Sequence, residues 1–104
     1  MQIPITFGDL LLLTRYALRF EQEKRARKCS DLLARVCEAQ SFVHITGRAH
    51  PLYGDGSISA LAARVGTARL SSGLNGNDLH AFATALSQVG IVVAALNTSE
   101  FSTL

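Results

Sequence analysis

The sequence predicts an all-α fold, an irregular bundle of about four helices in which the third is short. Three observations carry this prediction. Apolar residues recur at spacings of three and four through long segments. Apart from Pro4, Gly8 and Gly90, every Gly and Pro falls between positions 47 and 76. No segment alternates as a strand does, and the β-branched run Ile91-Val92-Val93 lies inside a helical stripe. The 104 residues are 48% hydrophobic and 17% charged, which suits one folded domain over residues 1–104 and argues against disorder. Residues 100–104 read as a short C-terminal tail.

The first helix is expected over Thr6–Phe20. Thr6 can cap it, with Asp9 three residues on, close to a capping box. Leu10, Leu13, Ala17 and Phe20 share one face, and Arg15 and Arg19 fall on the other side near the C-terminal end, which favours cations. A second helix is expected over Glu21–Thr46, ended by Gly47 at a typical C′ position. Its main stripe is Ala26, Cys29, Leu33, Val36, Gln40 and Val43, widened by Leu32, Ala39, Phe42 and Thr46. No breaker stands between Phe20 and Glu23, so the sequence leaves open two separate helices or one kinked rod.

A punctuated loop follows from Gly47 to Ser57. Pro51 holds His50 extended, Gly54 and Gly56 permit positive φ, and Asp55 or Ser57 can cap the next helix. That helix, Ile58–Val65, is short and ends at Gly66. Thr67–Gly76 reads as a polar loop, with Asn77 as the cap of the last helix and Asp78 in its first turn. Leu79, Phe82, Leu86, Val89, Val93 and Leu96 then make the clearest stripe in the chain. Ile91, Val92 and Leu104 fall outside it, and surplus apolar surface of this kind suits contact with another chain. Ile91 and Val92 are therefore the candidate interface residues. Ala81, Ala85, Gly90 and Ala94 are small enough for a neighbouring backbone to come close.

The net charge of +2 is too small to imply a polyanionic partner. All ten Lys and Arg lie at or before Arg69, so the first 69 residues carry +4 and the remainder −2. The basic run Lys24-Arg25-Ala26-Arg27-Lys28 offers a weak nucleic-acid surface. The helical path spreads it around the circumference, Glu21 and Glu23 dilute it, and no aromatic residues interleave for stacking. Leu79–Ser99 lacks any charge and is long enough to test as a membrane span. His80, Thr84, Ser87, Gln88, Gly90 and Asn97 favour a buried helix instead, so no membrane partner is expected. Cys29 and Cys37 on one helix stand about 12 Å apart along its axis. A disulfide needs roughly 4.4–6.8 Å between Cα atoms. Two free thiols suit a reducing, cytoplasmic setting, and no secretory signal precedes Leu10-Leu11-Leu12-Leu13.

The candidate site is the loop that gathers Arg48, His50, Tyr53, Gly54, Asp55, Gly56 and Ser57 at the start of a helix. Free N–H groups there can hold an anion, with Arg48 and His50 completing a phosphate or carboxylate pocket. The competing reading is a well-made turn, in which Tyr53 plugs the core, His50 bonds a carbonyl and Asp55 or Ser57 caps. Gly54-Asp55-Gly56-Ser57 is not a Walker loop, since the spacing differs and no Lys follows. No cofactor is implied. His44, His50 and Asp55 fit no recognised metal-ligand spacing, so no metal site is expected. Catalysis has little support. Ser57 follows no strand, Cys29 and Cys37 sit on an apolar face, and Asp55 with His50 is the one acid–base pair in the loop.

The segment Thr46-Gly47-Arg48 followed by His50-Pro51-Leu52-Tyr53-Gly54-Asp55-Gly56-Ser57 resembles a group of short α-proteobacterial proteins. Those proteins share a TGRxHPxWGxGS-like segment after a long Ala- and Leu-rich helix, and no activity is assigned to them. Here Tyr53 stands where a Trp is usual. The resemblance covers the first helix to about Ala63 and implies a bacterial cytosolic setting without a chemistry. The chain is thus expected to be a small cytosolic accessory or protein-interaction module that self-associates as a homodimer or meets another protein. The alternatives are an anion or small-molecule binder using residues 48–57, and a nucleic-acid binder using residues 24–28.

Overall fold

A computed structural model describes residues 5–68 and 76–102, with side chains to residue 97. It is all-α, with four helices: α1 (Phe7–Ala17), α2 (Arg25–Thr46), α3 (Ile58–Val65) and α4 (Gly76–Ser102). The core joins Leu13, Tyr16 and Ala17 of α1 with Cys29, Leu32, Leu33 and Val36 of α2, Ile58 and Leu61 of α3, and Val89 of α4. α1 touches each of the other three helices.

The capping box at the start of α1 is complete. The Asp9 N–H donates to Thr6 Oγ1 and the Thr6 N–H to Asp9 Oδ2, each over 3.1 Å. α1 stops at Ala17, short of the expected Phe20. The Arg19 N–H turns back to the Tyr16 carbonyl and the Phe20 N–H to that of Ala17, tightening the end into i→i−3 turns. This swings the Phe20 ring edge-on against Tyr16 at 5.2 Å. The first two helices are therefore separate, joined by a 3-10 turn over Gln22–Lys24. Glu21 does not begin α2, and Ala26, expected on its core stripe, is exposed.

Three arginines fasten the ends of these elements to one another. Arg19 donates through Nη1 to the carbonyls of Val65 (2.7 Å) and Gly66 (3.1 Å), closing the C-terminal end of α3. Arg15 holds the carbonyl of Ala68, whose N–H returns to the Arg15 carbonyl. Arg25 Nε donates to the Phe20 carbonyl.

α4 differs from expectation at both ends. It begins at Gly76, so Asn77 lies within its first turn rather than capping it; the preceding residue falls outside the described residues, as do Ser71-Ser72-Gly73. It runs on to Ser102, because no Gly or Pro interrupts Glu100-Phe101-Ser102, so these do not form a tail. Its core face is Ala85 and Val89, both fully buried, with Val92, Val93 and Leu96 packed beside them. Leu79, expected on that face, is 52% exposed, since the first turns of α4 reach past the core. Gln88 Nε2 ties the helix to the Gln22 carbonyl over 2.8 Å.

Candidate functional site

The loop between α2 and α3 is built from the end of α2 upward. Gly47 adopts φ +71 and donates to the Val43 carbonyl, the αL cap its position predicts. Thr46 Oγ1 donates to the Phe42 carbonyl and accepts the Arg48 N–H, which turns the chain outward. The Arg48 side chain is exposed and stands apart from the rest of the loop.

His50 and Gly54 then close the turn on themselves. The His50 N–H donates to the Gly54 carbonyl over 2.7 Å and the Gly54 N–H to the His50 carbonyl over 3.1 Å. The imidazole sits over this ring, where Nδ1 accepts the N–H groups of Leu52 (3.0 Å) and Tyr53 (3.1 Å). Two donors on Nδ1 place the ring proton of neutral His50 on Nε2. The imidazole also stacks on Tyr53, with centroids 4.5 Å apart and planes 8° apart, and meets Phe42 edge-on at 5.0 Å. His50 bonds N–H groups rather than a carbonyl, because the chain folds back beneath its ring. From α3, Arg64 Nη1 donates to the Pro51 carbonyl over 2.9 Å and ties down the same turn.

The second half of the loop makes the start of α3. Asp55 Oδ1 accepts both the Ser57 N–H (2.9 Å) and the Ser57 hydroxyl (2.6 Å), and Ser57 Oγ accepts the Ala60 N–H (3.1 Å). Bonding from the Ser57 hydroxyl, and then from its N–H, holds the Asp55 carboxyl below its ordinary range. The start of α3 thus carries its own carboxylate, in a position where an incoming anion would meet a like charge. Gly56 passes directly over α2, where Gln40 Nε2 donates to its carbonyl over 3.1 Å. A Cβ on Gly56 would stand 2.8 Å from Gln40 Cγ and 3.1 Å from its Cα.

The structure therefore brings the seven candidate residues into two groups and an outlier. His50, Tyr53 and Gly54 form one group, Asp55, Gly56 and Ser57 the other, and Arg48 joins neither. Gln40 and Arg64 complete the arrangement and were not singled out for it. Gln40 left a signal, as a polar residue inside an apolar stripe, whereas Arg64 left none. Beside Gln40 lies a depression of about 320 Å³ lined also by Ser41, His44 and Ile45. No three His, Cys, Asp or Glu side chains gather in a metal-holding group among the described residues.

Elsewhere, the basic run is partly committed. Lys24 lies 3.9 Å from Glu21, Lys28 Nζ sits 5.2 Å from the Phe20 ring, and Arg25 holds the end of α1. Burial pushes the Cys29 thiol up to about 11, and burial also raises that of the half-buried Cys37. Of the two candidate interface residues, Ile91 is 68% exposed, while Val92 is half-buried and packs against the core.

A small four-helix domain with a self-bonded turn and a last helix free of charge from Leu79 to Ser99 is the class these features define. The chain belongs to the DUF7742 family, a domain of unknown function, which it matches over residues 3–89, from before α1 into the middle of α4. No curated protein and no solved structure matches it.

Proposed function

We propose that this chain is a small accessory or protein-interaction module, bacterial and cytoplasmic in setting, that self-associates through the outward face of α4. One observation carries this reading: α4 is apolar, and the side away from the core is exposed at Ala83, Ser87, Ile91 and Ala94. Within Gly76–Asn97 an 18-residue window has a mean hydropathy of 1.8, and 11% of that window is fully buried. Among the described residues it gives two buried side chains, Ala85 and Val89, whereas the much shorter α1 gives four. A helix free of charge from Leu79 to Ser99, with an exposed side, calls for something to cover it.

By length and composition alone the same segment can cross a membrane. Docking to protein is favoured because its other side is already engaged by the core and by the bond from Gln88 to Gln22. In hydrocarbon, His80, Ser87, Gln88 and Asn97 would each add a cost. The two free thiols support a reducing compartment.

The test is solution mass by light scattering over a wide concentration range, for the native chain and Ile91→Glu. A native mass near twice 11.2 kDa that falls to 11.2 kDa in the variant, with helix content unchanged, is the expected outcome. A native chain that stays at 11.2 kDa throughout defeats self-association.

A further inference from the structure

Of the three histidines, His44 and His80 are exposed, whereas the His50 ring is bonded into the backbone around it. Its Nδ1 accepts the N–H groups of Leu52 (3.0 Å) and Tyr53 (3.1 Å), within a turn that His50 and Gly54 close by exchanging both backbone bonds. The same ring stacks on Tyr53 and meets Phe42 of α2 edge-on. Arg64 of α3 holds the turn from the other side, through the Pro51 carbonyl.

We propose that this turn is a proton-operated joint between α2 and α3, which loosens when His50 takes up a proton at Nδ1. A neutral imidazole has one acceptor nitrogen, and both donors use it. An imidazolium has none. Its Nδ1–H would face two N–H groups, so the ring must leave, and Leu52 and Tyr53 lose their acceptor together. The surrounding charges do not offset this. From α3, Arg64 donates to the Pro51 carbonyl over 2.9 Å, and its Nε would stand 3.8 Å from a Cβ on Gly54. A guanidinium thus lies along the turn, where an imidazolium would meet it as a like charge. From α2 the ring meets Phe42, which carries no charge, with the exposed His44 two residues on. Within the loop, Tyr53 offers its ring face and Arg48 is exposed and stands apart. The one carboxylate of the loop, Asp55, has its Oδ1 on the N–H and hydroxyl of Ser57.

Proton linkage sets the direction. The loosened turn, with its imidazole in water, binds one proton more than the closed turn, so closure weakens as pH falls. A solvated histidine titrates at about 6.5, so going from about pH 7.5 to about pH 5.5 should raise the opening of the turn about tenfold. Asp55, held below its ordinary range, stays ionised throughout. The Gln40 bond to Gly56 and the Ser57 cap include no imidazole, so the opening is confined to residues 50–54. The device responds to pH near neutrality whether or not α4 meets a partner.

The experiment follows amide hydrogen exchange of Leu52, Tyr53 and Gly54 between about pH 7.5 and about pH 5.5, corrected for intrinsic exchange, in the native chain and in His50→Asn. Nitrogen NMR of the imidazoles runs alongside. The expected result is a tenfold loss of protection in the native chain, in step with the appearance of a proton on His50 Nδ1. In His50→Asn, whose carbonyl accepts without titrating, protection should stay level. Four results would each overturn the joint: native protection that does not fall, an equal fall in His50→Asn, a proton taken up on Nδ1 while protection holds, or a fall shared by core amides such as that of Val36. Should His50→Asn fail to fold, the native nitrogen spectrum and exchange decide the matter by whether they change together.

Discussion

Replacing Gly56 with alanine tests whether the loop is a joint built against α2. Gly56 sits at φ +94, where an L-residue costs about 1–2 kcal/mol. Its new methyl would stand 2.8 Å from Gln40 Cγ, 3.1 Å from Gln40 Cα and 3.3 Å from Gln40 N. The first of these atoms can swing aside, but the other two are α2 backbone. Overpacking of this kind costs about 1–3 kcal/mol. If the loop retreats instead, the bond from Gln40 to the Gly56 carbonyl goes, at about 0.5–1.5 kcal/mol. The total expected is about 2–5 kcal/mol, a large share of the stability of a domain this size. Gly47→Ala is the matched control. Its φ is +71, but nothing lies within 4 Å of the added carbon, so only the backbone cost of about 1 kcal/mol applies. Urea unfolding followed by circular dichroism measures both. Equal losses in the two variants would refute close packing of the loop on α2.

Other consequences follow from the same geometry. His50→Ala should destabilise the chain by about 1–2 kcal/mol, because the Leu52 and Tyr53 N–H groups lose their acceptor. His50→Asn, whose carbonyl can accept from the same N–H groups, should recover part of that loss, and no difference between the two would sink the acceptor role. The lowered Asp55 pKa gives a stabilisation fully present above its ordinary value of 3.8 and lost as pH falls through its folded value. Asp55→Asn should lack that increment in urea midpoints measured against pH. Iodoacetamide should label Cys37 first and Cys29 only as the chain opens, since Cys29 is wholly buried with its thiol raised to about 11. Equal rates by mass spectrometry would contradict the core placement. Inorganic phosphate should leave the melting temperature unchanged, because Asp55 already occupies the start of α3. A clear rise would restore the anion-binding reading.

Local chemistry was legible in the sequence, and long-range partners were not. The Thr6–Asp9 box, the Gly47 cap and the Asp55–Ser57 start of α3 each join residues two to four apart, so their spacing announces them. Arg19 on Val65, Arg15 on Ala68 and Arg64 on Pro51 join residues far apart in sequence, and nothing local distinguishes them from solvated arginines. The same limit explains α4. Its three-four stripe was plain, but a helix apolar on several sides does not say which side meets the core. The packing of α1 and α2 turned Val92 inward and left Leu79 out.

The loop shows why a dense set of reactive residue types is weak grounds for a chemistry. A site for an incoming ligand needs side-chain atoms whose bonding is unfinished, and here the chain finishes most of it. His50 Nδ1 is taken by two backbone donors, and Ser57 spends its hydrogen on Asp55 and a lone pair on Ala60. Asp55 spends one oxygen on Ser57, and its charge balances the helix start that an anion would otherwise seek. These bonds fix the direction in which α3 leaves α2. The end of α3 in turn offers the Val65 and Gly66 carbonyls to Arg19, just past α1, and α1 lies against α4. The loop is thus a joint, which sets how α3 leaves α2 and with it the scaffold of α1 and α2 on which α4 packs.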